Sequence, residues 1–149
     1  MAIGTKTTPT KANQVFLGHG RSLLWMKVER YLEKEKGLIV QGWESESRTG
    51  AHVIEVLDGL MDSSAFAVLV VTAEDATAGG TVRARQNVIH EIGLFQGRLG
   101  FKKVALLEQE GVEGFSNIYG LQTIRFPEDR IDVAFPELER MLKREGLIK

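Results

Sequence analysis

The sequence predicts a single α/β domain with a doubly wound parallel sheet of about five strands and helices on both faces. Apolar runs typical of buried strands alternate with apolar stripes at helical spacing throughout residues 14–149, and no internal repeat or second domain interrupts that order. Strict alternation of strand and helix favours right-handed crossovers, and hence parallel strands. Residues 1–13 are polar and non-periodic, so we expect a disordered lead-in there.

The first half of the domain contains three predicted strands and two predicted helices. The strands occupy residues 15–17, 38–40 and 65–72, and the third is the longest apolar run, typical of a central strand covered on both faces. The first helix stops at Gly37, and the second follows a polar loop at 42–50. The apolar stripes are Leu24, Val28, Tyr31 and Leu32 in the first helix and Val53, Leu57, Leu60 and Met61 in the second.

The second half continues the alternation. A loop rich in small residues at 73–81 precedes a third helix, and strands are predicted at 104–107 and 121–126, with irregular structure at 108–120 between them. Pro136 lies in or near the first turn of the last helix, where its missing N–H is tolerated. The helical stripes here are Val88, Ile92, Phe95 and Leu99, and then Leu138, Met141 and Leu142.

Composition excludes several classes of function. A net charge of −1 gives no electrostatic footprint for nucleic acid or an anionic membrane. No apolar run approaches the ~20 residues of a spanning helix, and the amino terminus lacks the apolar centre of a signal peptide. The chain has no cysteine, and its three histidines lack zinc-ligand spacing, so we expect no metal. A cytoplasmic protein is the simplest interpretation.

Open parallel sheets bind ligands at the carboxyl ends of their strands, near the switch in strand order. We expect residues 18–21, 43–49 and 72–85 and the start of the third helix to converge there. The first of these segments can hold phosphate with backbone N–H groups and the guanidinium of Arg21. A tight turn that requires glycine explains the same segment equally well.

The densest cluster of polar side chains is in residues 83–93. Asn87 and Glu91 are four residues apart and share a helical face offset from the apolar stripe. The nearby helix start favours an ionised carboxylate, and arginines just upstream add positive charge. This pattern predicts a pocket that binds an anionic ligand and presents one carboxylate. The structural alternative is a surface ion pair of Glu91 with Arg85 or Arg98.

The remaining candidates are single side chains. His90 points about 100° away from its neighbour Glu91 around the helix, so we expect a packing or surface role for it. His19, in the first loop, is the better-placed histidine, and His52 is expected on a helix surface. Trp43 can stack on a ring or cap the edge of the sheet.

Three stretches, residues 15–21, 83–93 and 95–100, together resemble bacterial TIR-like domains. More narrowly, they resemble the nucleotide-binding TIR-like effectors of cyclic-oligonucleotide anti-phage systems. The resemblance covers about residues 14–144, and its specific part is Arg85-Gln86-Asn87-x-x-x-Glu91-x-Gly93. It implies a flavodoxin-like, TIR-like fold and NAD+ glycohydrolase activity, with NAD+ as substrate and no cofactor.

The same resemblance assigns the catalytic glutamate to Glu91. Chemistry agrees, because the departing nicotinamide already carries positive charge, and an anion that stabilises an oxocarbenium-like sugar meets the need. His19, Gly20, Arg21 and Arg85 would hold the pyrophosphate or ribose, and the Trp43 loop would cover the nicotinamide. The expected substrate-binding residues are His19, Gly20, Arg21, Trp43, Thr72, Arg85 and Asn87.

The resemblance also implies partners. The loop after the second strand is expected to take part in head-to-tail self-association, and a sensor for a cyclic oligonucleotide is expected in cis, removed from this chain, or in trans. No direct nucleic-acid or membrane partner is expected. Two alternatives stay open, namely an enzyme like the nucleoside 2-deoxyribosyltransferases, which use a glutamate as nucleophile, and a non-catalytic TIR interaction module. The sequence leaves the product, linear or cyclic ADP-ribose, undetermined.

Overall fold

A computed structural model describes residues 10–42, 53–73, 75–76, 82–83, 86–112 and 122–149, with the backbone alone at 53–54, 75–76, 82–83 and 86–89. The strands are β1 (Gln14–His19), β2 (Ile39–Gln41), β3 (Phe66–Val71), β4 (Asp75–Ala76), β5 (Val82–Arg83), β6 (Val104–Gln109) and β7 (Gln122–Phe126). The helices are α1 (Trp25–Arg30), α2 (Val53–Ser63), α3 (Gln86–Leu99) and α4 (Phe135–Arg144).

Five strands form one parallel sheet in the order β2-β1-β3-β6-β7. This confirms the predicted doubly wound α/β fold, with β1 and β3 inside the sheet. All six residues of β3 are buried, because helices cover both of its faces. The alternation of side chains along each strand divides the core in two. Val15, Leu17 and Val68 pack with α1 and α4, whereas Phe16 and Leu69 pack with α2 and α3.

The first helical segment ends as its sequence predicts. α1 continues into a π-helical turn at Tyr31–Glu35, and Gly37 then adopts a φ of +66°, a conformation that favours glycine. Lys36 joins this end of the segment to α4, since its Nζ lies 2.5 Å from Oε1 of Glu139. That hydrogen bond lowers the pKa of the Glu139 carboxyl.

The structure differs from the predicted elements at several places, and β1 is the first, since it runs to His19, two residues beyond the predicted end at 17. Lys11–Asn13, expected within the lead-in, form a 3-10 turn directly before β1, and the Thr10 N–H donates to Oδ1 of Asn13; residues 1–9 lie outside the described part. The segment expected to be a loop at 73–81 contributes to an antiparallel ribbon, β4 with β5. β6 runs two residues beyond the predicted end at 107. Two-residue strands are too short to produce a recognisable alternation.

The described helices are short. The longest helix that the structure describes, α3, has 14 residues, fewer than the ~20 that cross a bilayer. None of the described helices is long and apolar enough to span a membrane.

Candidate functional site

The order of the strands puts the switch point between β1 and β3. From β1 the chain proceeds outward to β2, and from β3 it proceeds in the opposite direction to β6 and β7. Gly18 and His19 at the end of β1 lie beside Leu69 and Val70 of β3. Ligands of open α/β sheets bind in the crevice that such a reversal creates.

Helix α3 brings Glu91 to this crevice. Ile92 and Phe95 anchor the helix in the core, where the Phe95 ring stacks on Phe16 with 4.2 Å between centroids. Glu91 is only 4% exposed. Its Oε2 lies 3.1 Å from the position that a Cβ on Gly18 would occupy. The structure therefore places the Glu91 carboxylate against the backbone at the end of β1.

Gly18 is the residue that allows this approach. A Cβ at that position would also lie 2.9 Å from Cδ2 of Leu69 and 2.9 Å from Cε2 of Phe16. Contacts that short do not occur without displacement of the neighbours. The sequence left two interpretations of residues 18–21 open, a phosphate-binding loop and a tight turn that requires glycine, whereas Gly18 lies within β1 and leaves room for a carboxylate.

The alternative of a surface ion pair with Arg98 does not describe Glu91, whereas the described residues do not test a pair of Glu91 with Arg85. Glu91 is buried, and Arg98 forms ion pairs with Asp58 and Asp62 of α2 instead. Arg85 lies outside the described residues. Glu91 is the sixth residue of α3, beyond the first turn, so the helix dipole has only a small effect on its charge.

His19 lies on the other side of the sheet. Its neighbour Gly18 faces α3, and the His19 ring stacks on Trp25 of α1 with 4.2 Å between centroids and 6° between planes. Nδ1 of His19 is 2.8 Å from the Gly20 carbonyl oxygen; since a carbonyl only accepts, Nδ1 is the donor. Trp25 was not among the residues predicted from the sequence, although an aromatic residue directly after the first loop is a usable signal.

A cleft of about 80 Å³ adjoins this stack, between the ends of β1 and β2. Its lining residues are Leu17, His19, Trp25, Glu29, Val40, Gln41 and Gly42. Ligand sites usually enclose about 300 Å³ or more. By itself the cleft has room for a small part of a dinucleotide only.

The structure describes some of the other predicted substrate-binding residues but not all of them. Thr72, 4% exposed, follows the end of β3; Gly20 is half-buried and Arg21 exposed after β1. Trp43 lies outside the described residues, and Asn87 is described in backbone only, four residues before Glu91 on α3. The substrate contacts of all these residues stay predictions.

The last predictions from the sequence concern His90, His52 and metal binding. His90 is exposed, in agreement with the expected packing or surface role, and His52 lies outside the described residues. Among the side chains that the structure describes, no three His, Asp or Glu residues converge as metal ligands.

A second buried carboxylate, not singled out from the sequence, lies at the same edge of the sheet. Glu108 is near the end of β6 and 2% exposed. Nε of Arg125 on β7 donates to its Oε1 over 3.1 Å, and the two residues are directly opposite in register. Glu108 thus takes part in a cross-strand ion pair.

Comparison with known proteins identifies the family. A family model described as "CAP12/Pycsar effector protein, TIR domain" matches residues 14–128. The Pycsar effector protein PaPycTIR of Pseudomonas aeruginosa is 33% identical over 107 residues, which cover 66% of this chain and 34% of that protein. BcPycTIR of Burkholderia cepacia is 34% identical over 100 residues, which cover 64% of this chain and 33% of that protein.

The chain spans about a third of the length of these two relatives. A crystal structure of a prokaryotic SEFIR domain superposes with a TM-score of 0.55 at 17% identity, covering 92% of this chain and 96% of that one. At that identity the match supports the fold alone. The family model covers most of the folded part, including all of β1 and α3. The chain therefore belongs to the family of TIR domains of CAP12/Pycsar effector proteins.

Proposed function

We propose that this chain is an anti-phage effector domain that cleaves the bond between nicotinamide and ribose in NAD+. The observation that carries the proposal is the Glu91 carboxylate, buried against Gly18 at the β1/β3 switch point. A carboxylate held in a low-dielectric crevice interacts strongly with positive charge that develops beside it. Membership in an effector family supports the assignment.

In the proposed reaction Glu91 stabilises the sugar. The bond between C1′ of the ribose and N1 of nicotinamide breaks, and its electron pair neutralises the ring nitrogen, so nicotinamide leaves without a proton donor. Positive charge then develops on the ribose, where an adjacent carboxylate lowers the barrier. Water adds to C1′ and releases a proton, which gives ADP-ribose; attack by a group of the same molecule would give a cyclic product.

The remaining residues would bind the substrate. We assign the pyrophosphate and ribose to Gly20 and Arg21 in the loop after β1 and to Arg85 directly before α3, because backbone N–H groups and guanidinium groups suit phosphate. Thr72 directly follows β3, and Asn87 is in the first turn of α3. Both residues therefore belong to segments next to the same crevice. Trp43 would cover the nicotinamide. The His19 ring stacks on Trp25, so His19 would contribute by fixing the conformation of the loop after β1.

We also propose that the active form is assembled. The curated relatives are Pycsar effectors about three times as long as the matched region, so we infer that a cyclic-nucleotide sensor, in cis or in trans, controls head-to-tail self-association of this domain. The carboxyl end of β2 lies at the same edge of the sheet as Glu91, so we propose that residues 43–50, which come after β2 in the sequence, complete a neighbour's site.

The test is direct. Purified protein at high concentration is incubated with NAD+ or, in parallel, with deoxynucleosides, and released nicotinamide or free base is measured by chromatography. Glu91→Gln retains the shape and removes the charge, whereas His90→Gln alters the exposed neighbour on the same helix as a control. We expect nicotinamide from the wild type and from His90→Gln, and none from Glu91→Gln. Near-wild-type turnover in a folded Glu91→Gln protein would overturn the assignment.

A further inference from the structure

The side chain of Gln109 joins two loops at the carboxyl edge of the sheet. Oε1 of Gln109 accepts from the Ala73 N–H over 2.8 Å, just after β3. Nε2 donates to the Glu128 carbonyl over 2.7 Å, just after β7. One carboxamide therefore connects the exits of the strands on either side of β6.

These hydrogen bonds lie just beyond the last paired residues of the sheet. The β3–β6 ladder ends with Val71 opposite Glu108, and the β6–β7 ladder ends with Gln109 opposite Phe126. A backbone N–H that leaves a ladder needs a new acceptor or exchanges with water. The Gln109 side chain supplies that acceptor to Ala73, and its amide group satisfies a carbonyl beyond β7.

Both contacts specify glutamine. The N–H of Ala73 requires an acceptor, and the carbonyl of Glu128 requires a donor, so the carboxamide has one possible orientation. Glu128 adopts a φ of 50°, which is uncommon for a non-glycine residue and indicates a turn held in place by its surroundings.

We propose that Gln109 is a positioning residue for the ligand edge. It holds the backbone at Ala73, directly after Thr72 and two residues before the ribbon that leads to α3 and Glu91. With that backbone fixed, the β3 exit stays in the conformation that binds substrate. Without it, the competent conformation is less populated and the apparent affinity falls in proportion. This inference rests on the proposed NAD+ cleavage.

The test compares Gln109→Met, which has a similar length and no amide, with Gln122→Met. Gln122 is a matched control, because its Nε2 also donates to backbone carbonyls, those of Phe101 and Val104, but at the opposite edge of the sheet. Exchange of the Ala73 amide is followed by NMR without substrate, and KM and kcat for NAD+ are measured on the same proteins.

We expect Gln109→Met to accelerate Ala73 exchange and to raise KM, each by about tenfold, with kcat changed less than about threefold. Gln122→Met should alter neither value. Unchanged Ala73 exchange in a folded Gln109→Met protein would show that the bridge does not hold this backbone. Faster exchange with an unchanged KM would show that the bridge does not position the substrate. Absence of NAD+ cleavage in the wild type would instead reject the proposed function, and the substrate role of Gln109 with it, while exchange still decides whether Gln109 fixes Ala73.

Discussion

Among the residues that the structure describes, two buried glutamates lie at the carboxyl edge of the sheet, Glu91 at its β1/β3 end and Glu108 at its β6/β7 end. Glu108 lies on a strand and accepts a hydrogen bond from Arg125, its opposite residue on the next strand. Glu91 lies on a helix, and its carboxylate reaches the backbone of Gly18 at the switch point. Burial alone therefore does not distinguish the carboxylate that we propose to be catalytic from one in a cross-strand ion pair. The two differ in their position relative to the crevice at the switch point.

Neutralising each glutamate in turn gives the largest expected effect. Glu91→Gln should lower NAD+ cleavage at least ~10²-fold, the loss typical of deleting one electrostatic stabiliser. Glu108→Gln should leave kcat/KM within about threefold of the wild type, because its ion pair is structural. The measurement is kcat/KM for NAD+ on the two folded variants. Equal losses would mean that both ends of the edge belong to one site and that the comparison is wrong.

Gly18 allows a sharper test of the β1/β3 end. Gly18→Ala should destabilise the protein by about 1–3 kcal/mol through overpacking, and should lower NAD+ cleavage about tenfold by displacing Glu91. Gly93→Ala is the matched control, because a Cβ there meets no atom within 4 Å and alanine favours helix. Denaturant unfolding and activity are measured on both proteins. A Gly18→Ala protein with wild-type stability and activity would contradict the close approach of Glu91.

Dependence on protein concentration tests whether the β1/β3 end is a complete site within one subunit. If a neighbour contributes to the crevice, specific activity should rise severalfold over a wide range of concentrations, because association follows mass action. Substitutions in residues 42–49 should reduce that rise without unfolding the domain. Specific activity is measured together with light scattering. A constant, high specific activity in a protein that stays monomeric would reject the assembly.

The smallest effect is expected on stability at the β6/β7 end. Glu108→Gln should lower the free energy of unfolding by about 1 kcal/mol and Tm by about 3 °C, since a charged hydrogen bond becomes a neutral one and Arg125 is largely exposed. Arg125→Gln should give a similar decrease, and the double variant should lose less than the sum. Calorimetry of the four proteins measures this coupling. Strict additivity would show that the two side chains do not stabilise each other.

The layers of this fold could be predicted well because each long element has a recognisable pattern of apolar residues in its own sequence. The all-apolar run at β3 and the stripe of Leu138, Met141 and Leu142 in α4 each indicate the correct element. The position of Glu91 near a strand end followed from topology, since α3 lies on the connection from β3 to β6. The bacterial TIR-like resemblance was confirmed by the family model.

What the sequence did not predict depends on contacts between distant residues. Gly18 suggested a turn, and only the packing of Phe16 and Leu69 with Glu91 shows why a glycine is needed within the strand. The stack of His19 on Trp25 depends on which face of β1 each side chain leaves. Gln109 was assigned to an irregular segment, because a side chain that hydrogen-bonds to the backbone of two neighbouring strand exits leaves no periodic pattern in the sequence.

The bridge from Arg98 to Asp58 and Asp62 has a mechanical consequence. One guanidinium in the last turn of α3 holds two carboxylates that are one helical turn apart on α2. The two helices therefore behave as a coupled pair, and α2 begins at Val53, directly after residues 43–52. A displacement of α2 along its axis must carry α3, and Glu91 with it, or break both ion pairs. Since both ion pairs are partly exposed, each contributes little energy, and we expect them to act together with the apolar cluster that α2 and α3 share.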